Sequence, residues 1–457
     1  EDPPGPTGEG GGDRGSGGAA QGCSSPSGGG TGAARPWGPH VALFLPCAAG
    51  TEELLADEVL RILGPQASGE MLRGGVTVDG DASTAMRLNL ESRLAQRVLW
   101  PLAHGPYETE HDLYALARTV PWTDWITPAQ TFRIDTTAQR SPLQSLNFAT
   151  LRVKDAVCDV VRDAVGERPS IDTRHPDLPL SLHLSPNHAT LYADTSGEAL
   201  FKRGWRDAQG LKGEAPLKET LAAAMLAAAG WQGRAEDGPL LDPCCGAGTI
   251  AIEAAQIACG IAPGLQRRFA FERMLPFRPL QNAWVQMKDA ARARQHAPAV
   301  AVFAGDVSFR MTDFAEHNAR RAGVDHAIAF KTADALQRLP PAPTGMLMLN
   351  PPYGERIAPK GARGEQRGPR QAREDFAPAA DGGDTGAFFS QLAAHWKRHY
   401  PGWTAWLLSP DMKLPQALRL KEARRVPLWN GPIECRLFRF DLVAGSARAQ
   451  PASGDAP

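Results

Sequence analysis

The sequence predicts an α/β fold: a Rossmann-like domain with a mostly parallel sheet and a C-terminal antiparallel hairpin, preceded by a smaller α+β region. Three observations carry this. From Pro239 onward, short apolar runs alternate with amphipathic stretches, the pattern of parallel strands covered on both faces. Near the end, Asn430–Gly431 lies between two β-rich runs, a hairpin signal. Before Asp194, short strands and helices follow one another without strict alternation, as in an α+β unit.

The elements follow in chain order. His40–Ala48 is a compact apolar run and reads as a strand. Next, Leu54, Leu55, Val59, Ile62 and Leu63 fall on one helical face, and Gly64 is a fitting stop. Gly74–Asp81 reads as a short strand, Val153–Val165 as an amphipathic helix, and two strands flank Pro186–Asn187. Leu217, Leu221 and Met225 mark the inward face of a helix that Gly230 ends. Pro239–Pro243 is a strand, Thr249–Ala258 a helix, and Gly260–Pro298 an irregular stretch with one helical segment, Asn282–His296. Strands are expected at Val300–Asp306, Ala327–Asp334, Met346–Leu349 and Trp403–Asp411. Ser308 can cap a helix carrying Met311, Phe314 and Ala315, which Gly323 ends. A last helix spans Ala387–Tyr400.

At 457 residues the chain exceeds what one core usually supports, and its 42% hydrophobic content is enough for real cores. The organisation predicts a disordered Gly-rich tail (1–37), an α+β region in two parts (38–85 and 86–196), an α/β domain (205–444) and a second disordered tail (445–457). Residues 358–386 are rich in Gly, Arg, Asp, Pro and Ala without periodicity, and read as a mobile insertion. No run of about 18 apolar residues exists, so no transmembrane helix or membrane partner is expected. The N-terminus lacks the apolar stretch of a secretory signal, and a chain that begins at Glu1 points to a start further upstream. A net charge of -1 neither suggests nor excludes a nucleic-acid partner, since a basic patch can sit on a neutral protein. Seven cysteines without CxxC spacing fit a reducing cytoplasm better than a disulfide framework or a zinc site. The 11 histidines show no metal-ligand spacing, and no metal is expected.

Leu241–Thr249, LDPCCGAGT, is a strand end in an acid, then a glycine turn opening a helix. Gly246 and Gly248 let the backbone approach a ligand where a side chain would collide. The crevice beyond a strand's carboxyl end is where open α/β sheets bind ligands. Asp242 can accept from the amino group of a methionine moiety, with Pro243 and Thr249 completing the loop. The pattern is neither GxGxxG nor GxxxxGK[ST], which argues against dinucleotides and ATP. The next two strands end in acids. Asp306 suits the two hydroxyls of a ribose, and Asp334 the amino group of an adenine.

About 110 residues after that loop comes Asn350–Tyr353, NPPY, at the end of a fourth strand. Pro351 and Pro352 stiffen the loop. The Asn350 side-chain oxygen and the Pro351 carbonyl are two acceptors that can hold the two hydrogens of an exocyclic amine. Such an amine is a poor nucleophile, because its lone pair is delocalised into the ring. Orienting it toward an electrophilic methyl group needs no strong base, so alignment and electrostatics supply the rate. Tyr353 offers a flat face for an unstacked base. NPPY suits any planar exocyclic amine and does not separate guanine from adenine. Cys244 and Cys245 could suggest attack at carbon, but that chemistry normally uses a Pro-Cys loop, so both read as packing residues.

Together, FKRGWRDAQGLKGEAPLKETLAAAMLAAAGW, LLDPCCGAGTIAIEAA, APGL and LNPPYGERI resemble the class I RNA methyltransferases that carry a THUMP domain. The likeness is to the guanine-N2 methyltransferase half of the bacterial large-subunit rRNA enzymes. It covers about Val41 to Val443, and GTEELLADEV and GGVTVDGD look like that family's ferredoxin-like and THUMP regions. It implies S-adenosylmethionine as cofactor, held by Asp242, Gly246, Gly248, Asp306 and Asp334, with Asn350, Pro351, Pro352 and Tyr353 as catalytic loop. It also implies N2-methylguanosine in 23S rRNA, free or in an assembling subunit, as product. Some members carry a second methyltransferase domain, which this sequence does not include. Cys244 stands where a bulkier residue is common, and the 358–386 insertion is foreign to the pattern.

Lys202, Arg203, Arg206 and Lys212 gather positive charge between the two regions, and phosphate contact is their functional reading. Two alternatives stay open. One is methylation of an exocyclic amine in tRNA or of adenine N6. The other is a non-catalytic RNA-binding assembly factor that retains the fold.

Overall fold

The computed structural model describes residues 39–206, 216–351 and 383–443. The expected tails, and the expected insertion up to residue 382, lie outside the described residues.

The N-terminal half comprises Val41–Pro46 (β1), Glu52–Leu63 (α1), Gly69–Leu72 (β2), Gly75–Gly80 (β3), Ala82–Glu91 (α2), Leu99–Pro106 (β4), Glu110–Arg118 (α3), Thr131–Ala138 (β5), Leu146–Val165 (α4), Ser170–Ile171 (β6), Leu178–Leu184 (β7) and His188–Asp194 (β8). Its strands form one sheet, ordered β2-β3-β1-β4-β8-β7-β5-β6. Period-2 alternation buries Leu43 and Leu45 of β1, Val76 and Val78 of β3, and Leu180 and Leu182 of β7 in one core. Leu55 and Val59 of α1, and Val153, Val157 and Val161 of α4, complete that core. The β4–β8 ladder runs from Leu99↔Asp194 to Pro106↔His188, and the antiparallel pairing of β1 with β4 at Phe44↔Leu99 joins the two expected parts of the α+β region into a single sheet. Strand β2 escapes sequence reading because all four of its residues are exposed, so it has no alternation. Helix α4 starts at Leu146, not Val153, with Ser145 as its cap; Leu146 and Phe148 of the added turns are exposed and break the apolar pattern.

The α/β half comprises Glu219–Ala228 (α5), Leu240–Asp242 (β9), Thr249–Ala258 (α6), Gln281–Ala293 (α7), Val302–Asp306 (β10), Phe309–Arg321 (α8), Ile328–Thr332 (β11), Met346–Leu349 (β12), Gly383–His399 (α9), Thr404–Ser409 (β13), Leu414–Leu418 (α10), Arg424–Asn430 (β14) and Ile433–Asp441 (β15). The sheet order is β11-β10-β9-β12-β13-β15-β14. It is parallel from β11 to β13, while β15 runs antiparallel to both β13 and β14. Each face has its own core. Leu221, Met225, Ile250, Ala254 and Ala315 fill one, and Leu347, Leu349, Leu392, Trp396 and Leu414 the other.

Three boundaries differ from expectation. Strand β11 stops at Thr332, because its partner β10 ends opposite at Asp306; Asp334 therefore lies in the following loop. Helix α9 reaches back to Gly383, inside the expected insertion, where its first turns lack the apolar register that begins at Phe388. The hairpin turn is Gly431–Pro432, with Gly431 at φ 63° as a primed turn requires of a first central residue.

The irregular stretch after α6 belongs to the core of the other half. Ala262, Phe269, Phe271, Met274, Phe277 and Trp284 all lie in the N-terminal core. Phe271 and Trp284 meet edge to face, with ring centres 4.9 Å apart. At the junction, Glu253 of α6 is fully buried between two guanidiniums. Arg203 donates to it at 3.0 Å, and Arg93 of the N-terminal half at 3.1 Å. Arg203 also donates to the Arg93 carbonyl at 2.9 Å. Burial alone would raise the Glu253 carboxyl, but the two cations outweigh it and hold it below its ordinary 4.5.

Replacing Glu253 by Gln leaves two buried cations without a counter-charge. The expected loss is about 3 kcal/mol or more in denaturant unfolding. The carboxylate's contribution is complete above its unfolded pKa, near 4.5, and is lost as pH falls through the lower folded value. The wild type should therefore lose stability below pH 4.5 more steeply than E253Q, and parallel acid curves would refute the assignment.

Candidate functional site

Strands β9, β10 and β11 step outward on one side, and β12 returns on the other side of β9. Leu241 pairs with Leu347, so β9 and β12 end side by side. This reversal opens a crevice at their carboxyl ends, the ligand position of open α/β sheets. Asp242 ends β9, and Asn350 follows β12.

The turn after β9 is held from several directions. The Cys245 N–H donates to the Gly305 carbonyl at 2.8 Å, and the Gly248 N–H to the Cys245 carbonyl at 2.8 Å. Asn318 of α8, buried, donates to the Ala247 carbonyl at 3.0 Å. Gly246 and Gly248 both have positive φ, 51° and 84°. Pro243 and Thr249 are buried at either end of the turn.

Two carboxylates close to the turn have opposite surroundings. Asp306 accepts the Gly246 N–H at 3.1 Å on one oxygen and the Ser308 N–H at 3.0 Å on the other. Asp242 accepts only the Cys244 N–H, at 3.1 Å, among the described residues. Burial pushes its carboxyl up to about 8; the Cys244 N–H works against this and the negative Asp306 adds to it. Asp334 caps its loop by accepting the Leu336 N–H at 2.9 Å. The Cys244 and Cys245 thiols are pushed well above their ordinary range, by burial first and then by Asp242 and Asp306. Neither is a ready nucleophile.

Directly after β12, the Asn350 side-chain oxygen is buried and has no hydrogen-bond partner among the described residues. Pro351 follows it directly, whereas Pro352 and Tyr353 lie outside the described residues. Among the described residues, no three His, Cys, Asp or Glu side chains gather as a metal site, and no helix is long and apolar enough to cross a membrane.

The basic segment divides. Arg203 is 2% exposed and committed to Glu253, so the phosphate-contact reading is corrected for it. Arg206 is partly exposed; it bonds Glu219 and the Thr249 hydroxyl, and lies over the Trp205 ring. Both arginines meet buried acids that only the fold brings near. Lys202 is exposed and pairs with Glu198 at 2.7 Å, and Lys212 lies outside the described residues. The sequence reading missed Val307 and Phe309, which are 71% and 74% exposed beside Asp306. Their signal was two apolar residues flanking a helix cap. It also missed Asn318, an amide on an otherwise apolar helix face.

Residues 203–366 match the RMKL-like methyltransferase domain, residues 107–194 the THUMP domain, and residues 42–99 the RlmL ferredoxin-like domain. The chain carries, in order, a ferredoxin-like, a THUMP and an RMKL-like methyltransferase domain. Two relatives are each called ribosomal RNA large subunit methyltransferase K/L. That from Syntrophotalea carbinolica is 38% identical over 88% of this chain and 54% of its own length. That from Shewanella amazonensis is 36% identical over 89% and 54%. The chain thus spans about half the length of the curated relatives it matches. A methyltransferase structure complexed with SAH superposes with a TM-score of 0.74, at 25% identity, over 88% of this chain and 98% of that one.

The two turn glycines should respond differently to alanine. A Cβ on Gly248 would lie 3.0 Å from the Ala315 Cβ and 3.4 Å from the Ile252 Cδ1, at φ +84°. One on Gly246 would meet nothing nearer than the Met311 Cε at 3.9 Å. Gly248→Ala should cost about 2 kcal/mol or more, and Gly246→Ala about 1 kcal/mol from backbone strain alone. Thermal melts of the two variants check the order.

Proposed function

We propose that this chain is an S-adenosylmethionine-dependent RNA methyltransferase that forms N2-methylguanosine in 23S rRNA, free or within an assembling subunit. The observation that carries the reading is the buried Asn350 oxygen just after β12, beside the end of β9, which has no hydrogen-bond partner among the described residues. A buried acceptor without a donor is costly, and it persists where a ligand supplies the donor. The glycine turn, Asp242 and Asp306 support the cofactor, as does the SAH-bound structural relative. The THUMP match and the names of the relatives support ribosomal RNA over tRNA or adenine N6. The six described cysteines are free, which supports a reducing cytoplasm.

The residues divide the work. Asp242 would hold the methionine amino group, Asp306 the ribose and Asp334 the adenine, with Pro243, Gly246, Gly248 and Thr249 shaping the loop. The bound cofactor supplies an electrophilic methyl group. The Asn350 oxygen and the Pro351 carbonyl accept the two N–H bonds of the guanine amine and aim its lone pair. Pro352 and Tyr353 complete the loop, with Tyr353 as the stacking face. Lys202 and Lys212 remain the phosphate contacts of the basic segment. Removing the Asn350 acceptor should abolish transfer while the cofactor still binds.

Two measurements test this. Labelled S-adenosylmethionine with large-subunit rRNA, followed by mass-spectrometric mapping, should give N2-methylguanosine with wild-type protein. Asn350→Ala should lose roughly 100-fold or more in rate yet bind SAH normally by calorimetry; full activity would refute the amine-holding role. The second reads the Asp242 proton. Its carboxyl is protonated below about 8 in the free protein, and an ammonium beside it favours the carboxylate. At pH 7, binding should release a proton, and affinity should rise as pH climbs toward 8. Binding heats should then depend on buffer ionisation enthalpy in the wild type but not in D242N.

A further inference from the structure

We infer that Arg206 is the positioning residue of the cofactor turn, an assignment that rests on the reading of that turn as the S-adenosylmethionine site. Its guanidinium joins the starts of two helices. Nε donates to Glu219, the first residue of α5, at 2.5 Å. Nη2 donates to the hydroxyl of Thr249, the first residue of α6, at 2.5 Å, and to the Leu217 carbonyl at 3.3 Å. The Trp205 ring lies 4.8 Å away, and Trp205 is itself buried in the core that α5 and α6 share. The plane of the guanidinium is thus set by a ring on its face and by a carboxylate, a carbonyl and a hydroxyl at its edges.

The turn needs such a brace. Gly248 occupies the N-cap position of α6 and offers no side chain to satisfy the first amides of the helix. Gly246 and Gly248 leave the backbone open to a ligand, and neither can hold it in place. Arg206 supplies the support at the next residue. Arg203 holds Glu253 four residues further on, so Thr249 and Glu253 present one face of α6 to two arginines of one segment. The span that carries them, Arg203–Arg206, leads out of the N-terminal half. The geometry of the turn is therefore set from the junction between the halves. Lysine has the charge but lacks a planar fork that reaches carboxylate and hydroxyl together.

The test uses the full chain with Arg206→Lys, Thr249→Val and the double variant. SAH affinity is read by calorimetry, kcat and KM with S-adenosylmethionine and large-subunit rRNA, and stability by melting. Arg206→Lys should raise both the SAH Kd and the cofactor KM roughly 10-fold, and change kcat and the rRNA KM by less than about 2-fold. Adding Thr249→Val should bring little further loss, because both changes cut the same link. A raised rRNA KM with unchanged SAH affinity would restore the phosphate-contact role and overturn the inference. A lowered melting temperature with unchanged SAH affinity would also overturn it, as would additive losses in the double variant. If Arg206→Lys does not fold, Thr249→Val alone decides: wild-type SAH affinity in that variant refutes the link. Wild-type protein that fails to bind SAH would instead sink the cofactor reading.

Discussion

The two halves are held in register by one buried carboxylate. Glu253 lies midway along α6, fully buried, with Arg93 approaching from the N-terminal half and Arg203 from the segment that leaves it. A buried ion pair adds little net stability against a well-packed apolar substitute, because desolvation offsets the attraction. Its value is geometric: a misplaced half leaves a bare charge in a low-dielectric interior. Arg93 is itself fixed, since buried Glu58 accepts from the Ser92 hydroxyl and from the Arg93 and Leu94 amides. The order runs from α1 through the Ser92–Leu94 loop to Glu253, and along α6 to the glycine turn. The aromatic stretch after α6 closes the same junction from the other side, with Arg267 bonding the carbonyls of Ser196, Glu198, Ala199 and Lys202. The half that carries the THUMP domain is thereby tied to the helix that opens the proposed cofactor site.

The same economy of placement distinguishes the two acids beside the turn. Asp306 and Asp242 each end a strand of one sheet, on adjacent paired strands. Asp306 takes two backbone amides and so has its charge supported by the protein. Asp242 is buried with one amide and a negative neighbour, so its charge awaits an outside cation. A ribose brings no charge, and an amino acid brings an ammonium. The proposed roles of the two acids rest on that difference of environment and not on residue type.

Much of this was legible in the sequence, and the reason is local. Strand–helix alternation, the glycine turn and the NPPY loop are contiguous patterns, so the α/β half, Asp242 and Asn350 could be placed before any coordinates. What escaped was decided by partners distant in sequence. Arg203 and Arg206 look like a solvated basic run, because Glu253 and Glu219 become their neighbours only in the fold. The stretch from Ala262 to Trp284 looks irregular because its apolar residues answer to the other half's core and not to a helical period of their own. Asp334 appeared to end a strand, yet the length of β11 is set by β10. Strand β2 carries no signal at all, since an exposed edge needs no alternation.

The NPPY loop completes the argument. Its asparagine lies at the end of a short, wholly apolar strand, Met346–Leu349, whose neighbours on both sides are paired in parallel. The prolines that follow can donate no amide, so the loop's own backbone offers the Asn350 oxygen less than an ordinary turn would. Among the described residues the buried Asn350 oxygen has no donor, a state that costs about 1 to 3 kcal/mol in the free protein. A purely structural asparagine would relieve that cost by local rearrangement to reach an amide. On the proposed reading, holding it open costs stability and gains a site shaped for an amine, so little reorganisation remains for the moment of reaction. On that reading the two acceptors suit planar amines in general. Choice among them would then fall to whatever presents the base, a task that the proposal gives to the THUMP-bearing half, tied to α6 through Glu253.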